Sequence, residues 1–468
     1  MSERYDLVVL GAGPAGEKAA TQAAYYGKRV AIVERRSYPG GIAVSDAGVP
    51  TKTLRETALY LTGFKQRDVY GLSMSLDASL KLERLRSRTG ELFTLMTGVI
   101  RQNLDRMGVE LIHGEGTLVG GRRVRVKTAA GERMLEGDFV LIGTGSRPHH
   151  PSNIPFDDPG VDDSEGIVKI EKLPRTLAVI GGGAIGCEYA SIFAALGVQV
   201  TLLEVTDALL NFMDREISKT LAEIFRVHGI RVELGVQVER VARDGDQMVV
   251  HFPGRSALGV DHVLFAGGRV GNTEGLGLAE AGVELDAKGR VKVDAHFRTS
   301  APGIYAAGDV IGPPALASIS QEQGRVAACH AFGISFKDAV DPLPPLGVYS
   351  VPEVAMAGLT EEAAQARGID YEVGRGFFAR NTRARIAGAT EGLVKLVFRR
   401  SDRVLLGVHV LGDIASELVH LGQMVVAQGR TIDHFIHSTY NVPTFTEAYK
   451  YAAYDGLQRL AQPIRGPA

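Results

Sequence analysis

Residues 7–16 read LVVLGAGPAG, and residues 177–186 read LAVIGGGAIG. Each stretch is a run of four apolar residues followed by glycines in the pattern G-x-G-x-x-G. A second apolar run comes later in each copy and ends in a glutamate, which is Glu34 in the first copy and Glu204 in the second. The pattern predicts a strand, a tight turn, a helix and a second strand, built twice in one chain.

This arrangement is typical of a dinucleotide-binding site. The first glycine permits the turn, the second lets the backbone approach a pyrophosphate, and the third lets helix and strand pack closely. The N-terminus of the helix favours the negative charge, and the glutamate binds a pair of ribose hydroxyls. Because 57 of the 468 residues are glycine, a single match would carry little weight. Two matches in the same context predict that the chain binds two cofactors and passes electrons between them.

The composition is that of a large enzyme with packed cores. The length suggests about three domains at roughly 150 residues each, and 45% of the residues are hydrophobic. A net charge of −2 argues against nucleic acid or an anionic membrane as the main partner. No run approaches ~18 consecutive apolar residues, so we expect no membrane span. The first strand begins almost at the N-terminus, which leaves no room for a signal peptide. Only Cys187 and Cys329 are present, which favours a reducing, cytoplasmic location.

The rest of the chain predicts how the two copies are closed and joined. A charged stretch from about 52 to 107 is expected to be helical. The apolar run at 140–148 is predicted to be a buried strand, and a similar run at 263–269 closes the second copy. Proline-rich segments at 149–159 and 341–345 are expected to be linkers. The last 120-odd residues are predicted to form an α+β domain.

Taken together, these motifs resemble the disulfide-reductase-like flavoproteins, the family of dihydrolipoamide dehydrogenase, glutathione reductase and mercuric reductase. The resemblance covers essentially the whole chain. It implies an α/β fold with two Rossmann-like dinucleotide-binding domains and an α+β C-terminal domain that forms a homodimer. The expected cofactors are FAD and NAD(H), with NADP(H) left open. The expected boundaries are 1–150 and 273–344 for the FAD domain, 151–272 for the NAD(P) domain and 345–468 for the interface domain.

The resemblance also implies which residues form the sites. For FAD it indicates Gly11, Gly13, Gly16, Glu34, Lys52, Gly116, Thr144, Gly145, Asp309 and Ala317. For the nicotinamide nucleotide it indicates Gly181, Gly183, Gly186, Glu188, Glu204 and Gly268. In the family, the positions of Lys52 and Glu188 pair beside the flavin N5, where a cation stabilises the anionic reduced flavin. These two residues are therefore the expected catalytic pair, and no residue is assigned to a metal.

The redox-active disulfide of the family is missing. Ala43 and Gly48 occupy the two positions where the family places cysteines. The C-terminal histidine that protonates a thiolate in the family is replaced by Val442, although the neighbouring acid is kept as Glu447. Both thiols and the base are absent, so we do not expect the chain to reduce a disulfide substrate.

Five stretches, at 145–148, 186–193, 268–273, 371–375 and 443–449, most resemble the branch of this family that likewise lacks the disulfide. That resemblance implies a ping-pong exchange in which NADPH or NADH gives hydride to FAD and NAD(P)⁺ takes it back at the same site. No proton relay is needed, because hydride received and hydride released balance.

Two alternatives stay open from the sequence. Glu204 suits a free ribose 2′-hydroxyl and repels the 2′-phosphate of NADP, and Val205 and Thr206 supply no arginine to offset it. This favours an NADH-preferring diaphorase that passes electrons to an external acceptor such as a quinone. The other alternative is a non-catalytic flavin-binding scaffold. The retention of Lys52 and Glu188 argues against it.

Overall fold

The computed structural model describes residues 2–64, 67–71 and 78–461. Twenty-two strands occur in these ranges: β1 (Glu3–Leu10), β2 (Val30–Glu34), β3 (Glu110–His113), β4 (Glu115–Leu118), β5 (Arg123–Thr128), β6 (Gly131–Ile142), β7 (Ser146–Pro148), β8 (Val161–Asp162), β9 (Thr176–Ile180), β10 (Gln199–Glu204), β11 (Arg231–Leu234), β12 (Arg240–Asp244), β13 (Gln247–Phe252), β14 (Arg255–Val260), β15 (His262–Phe265), β16 (Arg269–Gly271), β17 (Ile304–Ala306), β18 (Leu346–Val348), β19 (Glu353–Gly358), β20 (Tyr371–Phe377), β21 (Leu393–Arg399) and β22 (Leu405–Gly412).

Thirteen α-helices occur in the same ranges: α1 (Pro14–Tyr25), α2 (Ile42–Ser45), α3 (Val49–Thr62), α4 (Arg67–Tyr70), α5 (Ala78–Arg106), α6 (Ala184–Ala195), α7 (Arg215–Val227), α8 (Ala317–Ala331), α9 (Glu361–Ala366), α10 (Thr382–Ala387), α11 (Ala415–Ala427), α12 (Asp433–His437) and α13 (Glu447–Leu460). Helices α3, α4 and α5 confirm the helical stretch predicted after residue 52. No helix within the described ranges is both long enough and apolar enough to cross a membrane.

The chain divides into two compact units. The first unit comprises residues 1–51, 87–149 and 268–341, and the second comprises residues 52–86, 150–267 and 342–468. Each glycine-rich copy therefore falls in a different unit. The C-terminal segment and the segment that begins at Lys52 both belong to the second unit. The four finer domain boundaries expected from the sequence stay a prediction.

The first unit is built on a seven-stranded sheet. Its strands run in the order β3-β2-β1-β6-β5-β4, and β17 also pairs with β6. The pairs β1–β2, β1–β6, β2–β3 and β6–β17 are parallel, whereas β4, β5 and β6 pair antiparallel. Helix α1 packs closely on α8. A side chain at Gly324 in α8 would lie only 2.1 Å from the carbonyl oxygen of Ala15 in α1. The first copy of the motif thus starts a parallel sheet, as predicted.

The second unit repeats this plan around the second copy. Its five-stranded sheet runs in the order β11-β10-β9-β15-β8, and every neighbouring pair is parallel. Strands β12, β13 and β14 form a separate antiparallel sheet. In the first unit the glycine turn follows β1, which lies between β2 and β6. In the second unit the glycine turn follows β9, which lies between β10 and β15. The α/β fold with two dinucleotide-binding folds is confirmed.

The C-terminal part of the second unit is an antiparallel sheet covered by helices. Its order is β18-β19-β22-β21-β20, and α11 and α13 pack against it. Buried residues of this sheet, including Val354 and Leu411, belong to the same apolar cluster as Leu177 and Tyr189 of the nucleotide fold. The α+β C-terminal domain is therefore present, and within the second unit it shares a core with the nucleotide fold.

Candidate active site

The first and third glycines of each loop are required by the protein's own backbone. Gly11 has φ +99°, and a side chain there would lie 2.5 Å from the carbonyl oxygen of Gly143. A side chain on Gly16 would lie 1.9 Å from the carbonyl oxygen of Gly11. Such distances are far below van der Waals contact, so only glycine fits the turn and the helix that follows it.

The second copy repeats these contacts. Gly181 has φ +113°, and a side chain there would lie 2.7 Å from the carbonyl oxygen of Ala266. A side chain on Gly186 would lie 1.8 Å from the carbonyl oxygen of Gly181. The two turns are therefore equivalent in conformation as well as in sequence.

The middle glycine of each loop faces open space. A side chain on Gly183 would meet no protein atom within 4 Å, and one on Gly13 would meet only the Cα of Gly41, at 3.9 Å. Each residue precedes a helix of 12 residues whose N-terminus has no side-chain cap. Packing therefore does not explain glycine at these positions. An uncapped helix N-terminus with room for a backbone-bound group fits the pyrophosphate of a dinucleotide.

The two glutamates are held in the same way. Glu34 accepts the backbone N–H of Ala12 at 2.7 Å and that of Arg36 at 2.8 Å. Glu204 accepts the backbone N–H of Gly182 at 2.5 Å and that of Thr206 at 2.7 Å. Both carboxylates are buried. Two charge-assisted bonds thus fix the acid beside each glycine loop, which is where a ribose would bind.

In the first unit, Asp309 is oriented by its neighbours. It follows Gly308, whose φ is +82°, directly after β17. Ser146 Oγ donates to Asp309 Oδ2 at 2.7 Å, and Arg269 Nε donates to Ser146 Oγ at 2.8 Å. The carboxylate is partly exposed and so remains accessible to a ligand.

The other residues expected in the sites lie in elements of the first unit. Thr144 Oγ1 donates to the carbonyl oxygen of Asn272 at 2.8 Å, and Gly145 has φ +70°. Packing also restricts Gly116 to glycine, because a side chain there would lie 2.6 Å from Leu10. Ala317 is exposed and begins α8. Gly268, expected to contact the nicotinamide nucleotide, falls in the first unit and has φ +119°.

The expected catalytic pair is formed within the second unit. Lys52 Nζ lies 3.0 Å from Glu188 Oε1 and 3.1 Å from Oε2. Lys52 sits in α3 and Glu188 in α6, two residues after the third glycine of the second copy. The Glu188 side chain is 8% exposed and the Lys52 side chain 34%, so the ammonium is the accessible member of the pair.

Sequence reasoning missed Tyr349, which contacts this pair. Its backbone N–H donates to Glu188 Oε1 at 2.9 Å, and Lys52 Nζ lies 4.6 Å from the centre of its ring. Tyr349 follows β18, more than 150 positions beyond Glu188 in the sequence. Nothing in the spacing indicates this contact, because it arises from packing of the C-terminal sheet on the nucleotide fold.

The structure gives no substitute for the missing disulfide. A side chain on Gly48 would lie 2.3 Å from the carbonyl oxygen of Ala43, so the two positions are adjacent and neither carries sulfur. Cys187 and Cys329 are both buried. Burial and the neighbouring carboxylates raise the pKa of the Cys187 thiol well above its usual value, which leaves it protonated and unreactive.

The retained acid of the C-terminal motif has a local partner. Glu447 Oε2 accepts the backbone N–H of Thr444 at 3.1 Å, in the turn that leads into α13. Val442, which stands in place of the family's histidine, is 73% exposed. Glu447 thus caps a turn and meets no base within its own motif.

One acidic cluster in the described part of the chain has the spacing of a metal site, and a lysine fills it. Asp214, Glu216 and Glu361 bring their carboxylates within 4.8 Å of one another. Lys395 Nζ lies 2.7 Å from Asp214 Oδ1 and 2.9 Å from Glu216 Oε2, and it also contacts Glu361. The Lys395 side chain is fully buried, so the cluster is an ion-pair network and carries no metal assignment.

Fold and site together define an oxidoreductase with two dinucleotide-binding sites. Residues 5–324 match the family model described as pyridine nucleotide-disulphide oxidoreductase, and residues 344–453 match the dimerisation domain of the same family. The chain belongs to the pyridine nucleotide-disulphide oxidoreductase family, whose members depend on FAD and use NAD(P)H.

Relatives of known name cover the whole chain. A protein of Mycobacterium tuberculosis (strain ATCC 25177 / H37Ra) named soluble pyridine nucleotide transhydrogenase is 41% identical, over 97% of this chain and 98% of the relative. A protein of the same name from Hahella chejuensis is 38% identical, over 98% and 99%. Among solved structures, the HOCl-induced flavoprotein disulfide reductase RclA from Escherichia coli matches with a TM-score of 0.87 and 28% identity, over 96% of this chain and 99% of that one.

Proposed function

We propose that the protein transfers hydride from one nicotinamide nucleotide to another, with FAD as the relay. The observation that carries this proposal is the doubled dinucleotide site in a chain that has no dithiol. Two glycine loops with equivalent glutamates provide for two cofactors, and Ala43 and Gly48 leave no sulfur to continue the electron path. The names of the relatives at 38–41% identity support the same reaction.

The first unit would hold FAD. Gly13 and the N-terminus of α1 would bind the pyrophosphate, Glu34 the adenosine ribose and Asp309 the ribityl chain. When bound, FAD supplies a ring system that accepts a hydride and releases it. Thr144, Gly145, Ala317 and the remaining FAD residues named above are proposed to line the same site.

The second unit would hold the nicotinamide nucleotide. Gly183 and the N-terminus of α6 would bind its pyrophosphate, and Glu204 its adenosine ribose. Lys52 is proposed to place its ammonium where negative charge develops as hydride is transferred, and Glu188 orients it. Neither residue needs to move a proton, because the exchange of one hydride for another leaves the proton count unchanged.

Coenzyme preference is proposed from Glu204. Its two backbone hydrogen bonds hold the carboxylate in place, so it cannot easily swing away from an incoming 2′-phosphate. We therefore propose that NAD(H) binds more tightly than NADP(H), and that NADPH is a weaker hydride donor. The same argument supports the second candidate, an NADH-preferring diaphorase with an external acceptor such as a quinone.

The deciding experiment follows hydride from NADPH or NADH to thio-NAD, whose reduced form absorbs at a different wavelength, without oxygen or quinone. We expect steady turnover and parallel double-reciprocal lines, because donor and acceptor use one site in turn. No transfer to thio-NAD, together with fast NADH-dependent reduction of a benzoquinone, would instead support the diaphorase.

The assembly and location complete the proposal. The match to the dimerisation domain indicates a homodimer. Two buried, unpaired cysteines and the absence of a spanning helix in the described ranges support a cytoplasmic location.

A further inference from the structure

Tyr349 touches both members of the Lys52–Glu188 pair through different groups. Its backbone N–H donates to Glu188 Oε1 at 2.9 Å, which fixes the carboxylate. Its ring lies 4.6 Å from Lys52 Nζ, measured to the ring centre, within the range in which an ammonium is attracted to an aromatic face. The lysine ammonium is thus held by a carboxylate and by a ring.

The ring contact matters because lysine is a flexible side chain. The Lys52 side chain is one-third exposed, so the protein encloses it only in part. Fixing a long side chain costs conformational entropy, which a second contact helps to offset. The Tyr349 ring, 4.6 Å from the ammonium, limits the positions that the charge can take.

The Tyr349 ring is itself anchored by buried polar groups. Its hydroxyl interacts with the Ser416 side chain near the start of α11. The backbone N–H of Ser416 donates to Glu353 Oε2 at 3.0 Å, and Glu353 Oε1 lies 3.3 Å from Arg55 Nη1. Glu353 and Arg55 are almost completely buried, so the tyrosine is held by a rigid part of the second unit.

We propose that Tyr349 is a positioning residue for hydride transfer, whose ring fixes the Lys52 ammonium in its working place. This inference rests on the proposed function, because it requires Lys52 to act on the flavin. Tyr349 itself moves no proton and accepts no electron. Its effect is expected to pass entirely through Lys52.

The test measures the midpoint potential of the bound FAD in the holoenzyme, by equilibration with a reference dye. Lys52→Met is expected to shift the potential to more negative values, because the bound flavin loses a nearby positive charge. Tyr349→Leu keeps the backbone bond to Glu188 and removes only the ring, so we expect a smaller shift in the same direction. Tyr349→Phe keeps the aromatic face and loses only the hydroxyl contact with Ser416, so its shift should be smaller than that of Tyr349→Leu.

The double variant decides whether Tyr349 acts through Lys52. In the Lys52→Met background, Tyr349→Leu should cause no further shift, because the group it positions is gone. Additive shifts, or equal shifts in Tyr349→Phe and Tyr349→Leu, would overturn the inference. No shift in Lys52→Met alone would instead overturn the role proposed for Lys52.

Two controls separate positioning from folding. Tyr60→Leu removes an 82% exposed tyrosine from the same helix as Lys52 and should change nothing. FAD content and the urea midpoint are measured for every variant. If Tyr349→Leu does not retain FAD, Tyr349→Met fills the space without an aromatic face and takes its place in the comparison.

Discussion

At the scale of single residues, the middle and third glycines of a loop are required for different reasons. A side chain on Gly186 would overlap the carbonyl oxygen of Gly181, whereas one on Gly183 would meet no protein atom within 4 Å. Packing requires glycine at Gly186, and we propose that a bound pyrophosphate requires it at Gly183. Stability and binding should therefore respond separately to the same substitution at the two positions.

Gly186→Ala should lower the free energy of unfolding by about 1–3 kcal/mol, because the backbone must shift to admit a methyl group. Gly183→Ala should leave the urea midpoint unchanged and weaken NADH binding about tenfold or more, because the methyl group occupies the pyrophosphate's place. Urea unfolding and NADH titration of both variants provide the measurement. Equal stability of the two variants would contradict this account.

Glu204 is expected to set the coenzyme ratio. Glu204→Ala removes the charge that opposes a 2′-phosphate, an effect of about 1–2 kcal/mol near a protein surface. The ratio of kcat/KM for NADPH over that for NADH should then rise about tenfold. Glu34→Ala is the matched control, because it removes the equivalent acid of the first unit. It should weaken FAD retention and leave the coenzyme ratio as it is.

At the scale of elements, the Lys395 network joins β21 to α7. Asp214 caps α7 by accepting the backbone N–H of Glu216. Burial alone would raise the pKa of Asp214, but the Lys395 ammonium and the backbone N–H of Glu361 outweigh it, so the pKa lies below its usual value. The pKa of Glu216 is lowered against the same burial by Arg375 and Lys395. Both carboxylates therefore stay charged in the folded state at neutral pH.

Lys395→Met should cost about 3–5 kcal/mol of unfolding free energy at pH 7, because it leaves buried carboxylates without their cation. A lowered pKa contributes stability above the unfolded-state pKa, near 4, and that contribution is lost as the pH falls through the folded-state pKa. The difference in unfolding free energy between the wild type and Lys395→Met should therefore become smaller below about pH 4. Urea unfolding as a function of pH measures this difference.

Lys292→Met is the control, because it removes a cation from an exposed ion pair with Glu284. It should change the free energy of unfolding by under about 0.5 kcal/mol. A similar loss in both variants would show that burial is not the cause.

Elements were predicted from sequence where their signal is local. Apolar runs followed by closely spaced glycines predicted β1, α1, β9 and α6, because each of these signals lies within about ten residues. The antiparallel strands β4, β5 and β12 to β14 were not predicted. Strand β4 has only four residues and β14 exposes most of its side chains, so neither shows a clear alternation, and the pairing of these strands depends on partners that the local pattern does not name.

The residues of the site were predicted from the sequence, but the contacts between them were not, for the same reason. The glycines and glutamates follow from spacing, and Lys52 and Glu188 from a resemblance. Lys52 and Glu188 are 136 positions apart, and Glu188 and Tyr349 are 161 positions apart, so only tertiary packing brings them together. Local sequence holds no information on such a contact.

At the scale of the whole molecule, the electron path should contain the flavin alone. The purified protein should be yellow, and one equivalent of NADH per FAD should bleach it in a single two-electron step. No long-wavelength thiolate-to-flavin charge-transfer band should appear, because Ala43 and Gly48 carry no sulfur. An anaerobic titration followed by absorbance is the measurement. A band that develops after the first equivalent would contradict the assignment.

The two buried cysteines have a consequence for how such an enzyme withstands chemical attack. Cys187 lies in α6 and Cys329 in α8, in different units, and burial raises the pKa of both thiols. Alkylating agents and peroxides attack thiolates, and arsenicals need two neighbouring thiols. Each buried, protonated thiol is a poor target for these reagents in the folded protein. The enzyme should keep exchanging reducing equivalents under oxidant levels that silence its dithiol relatives.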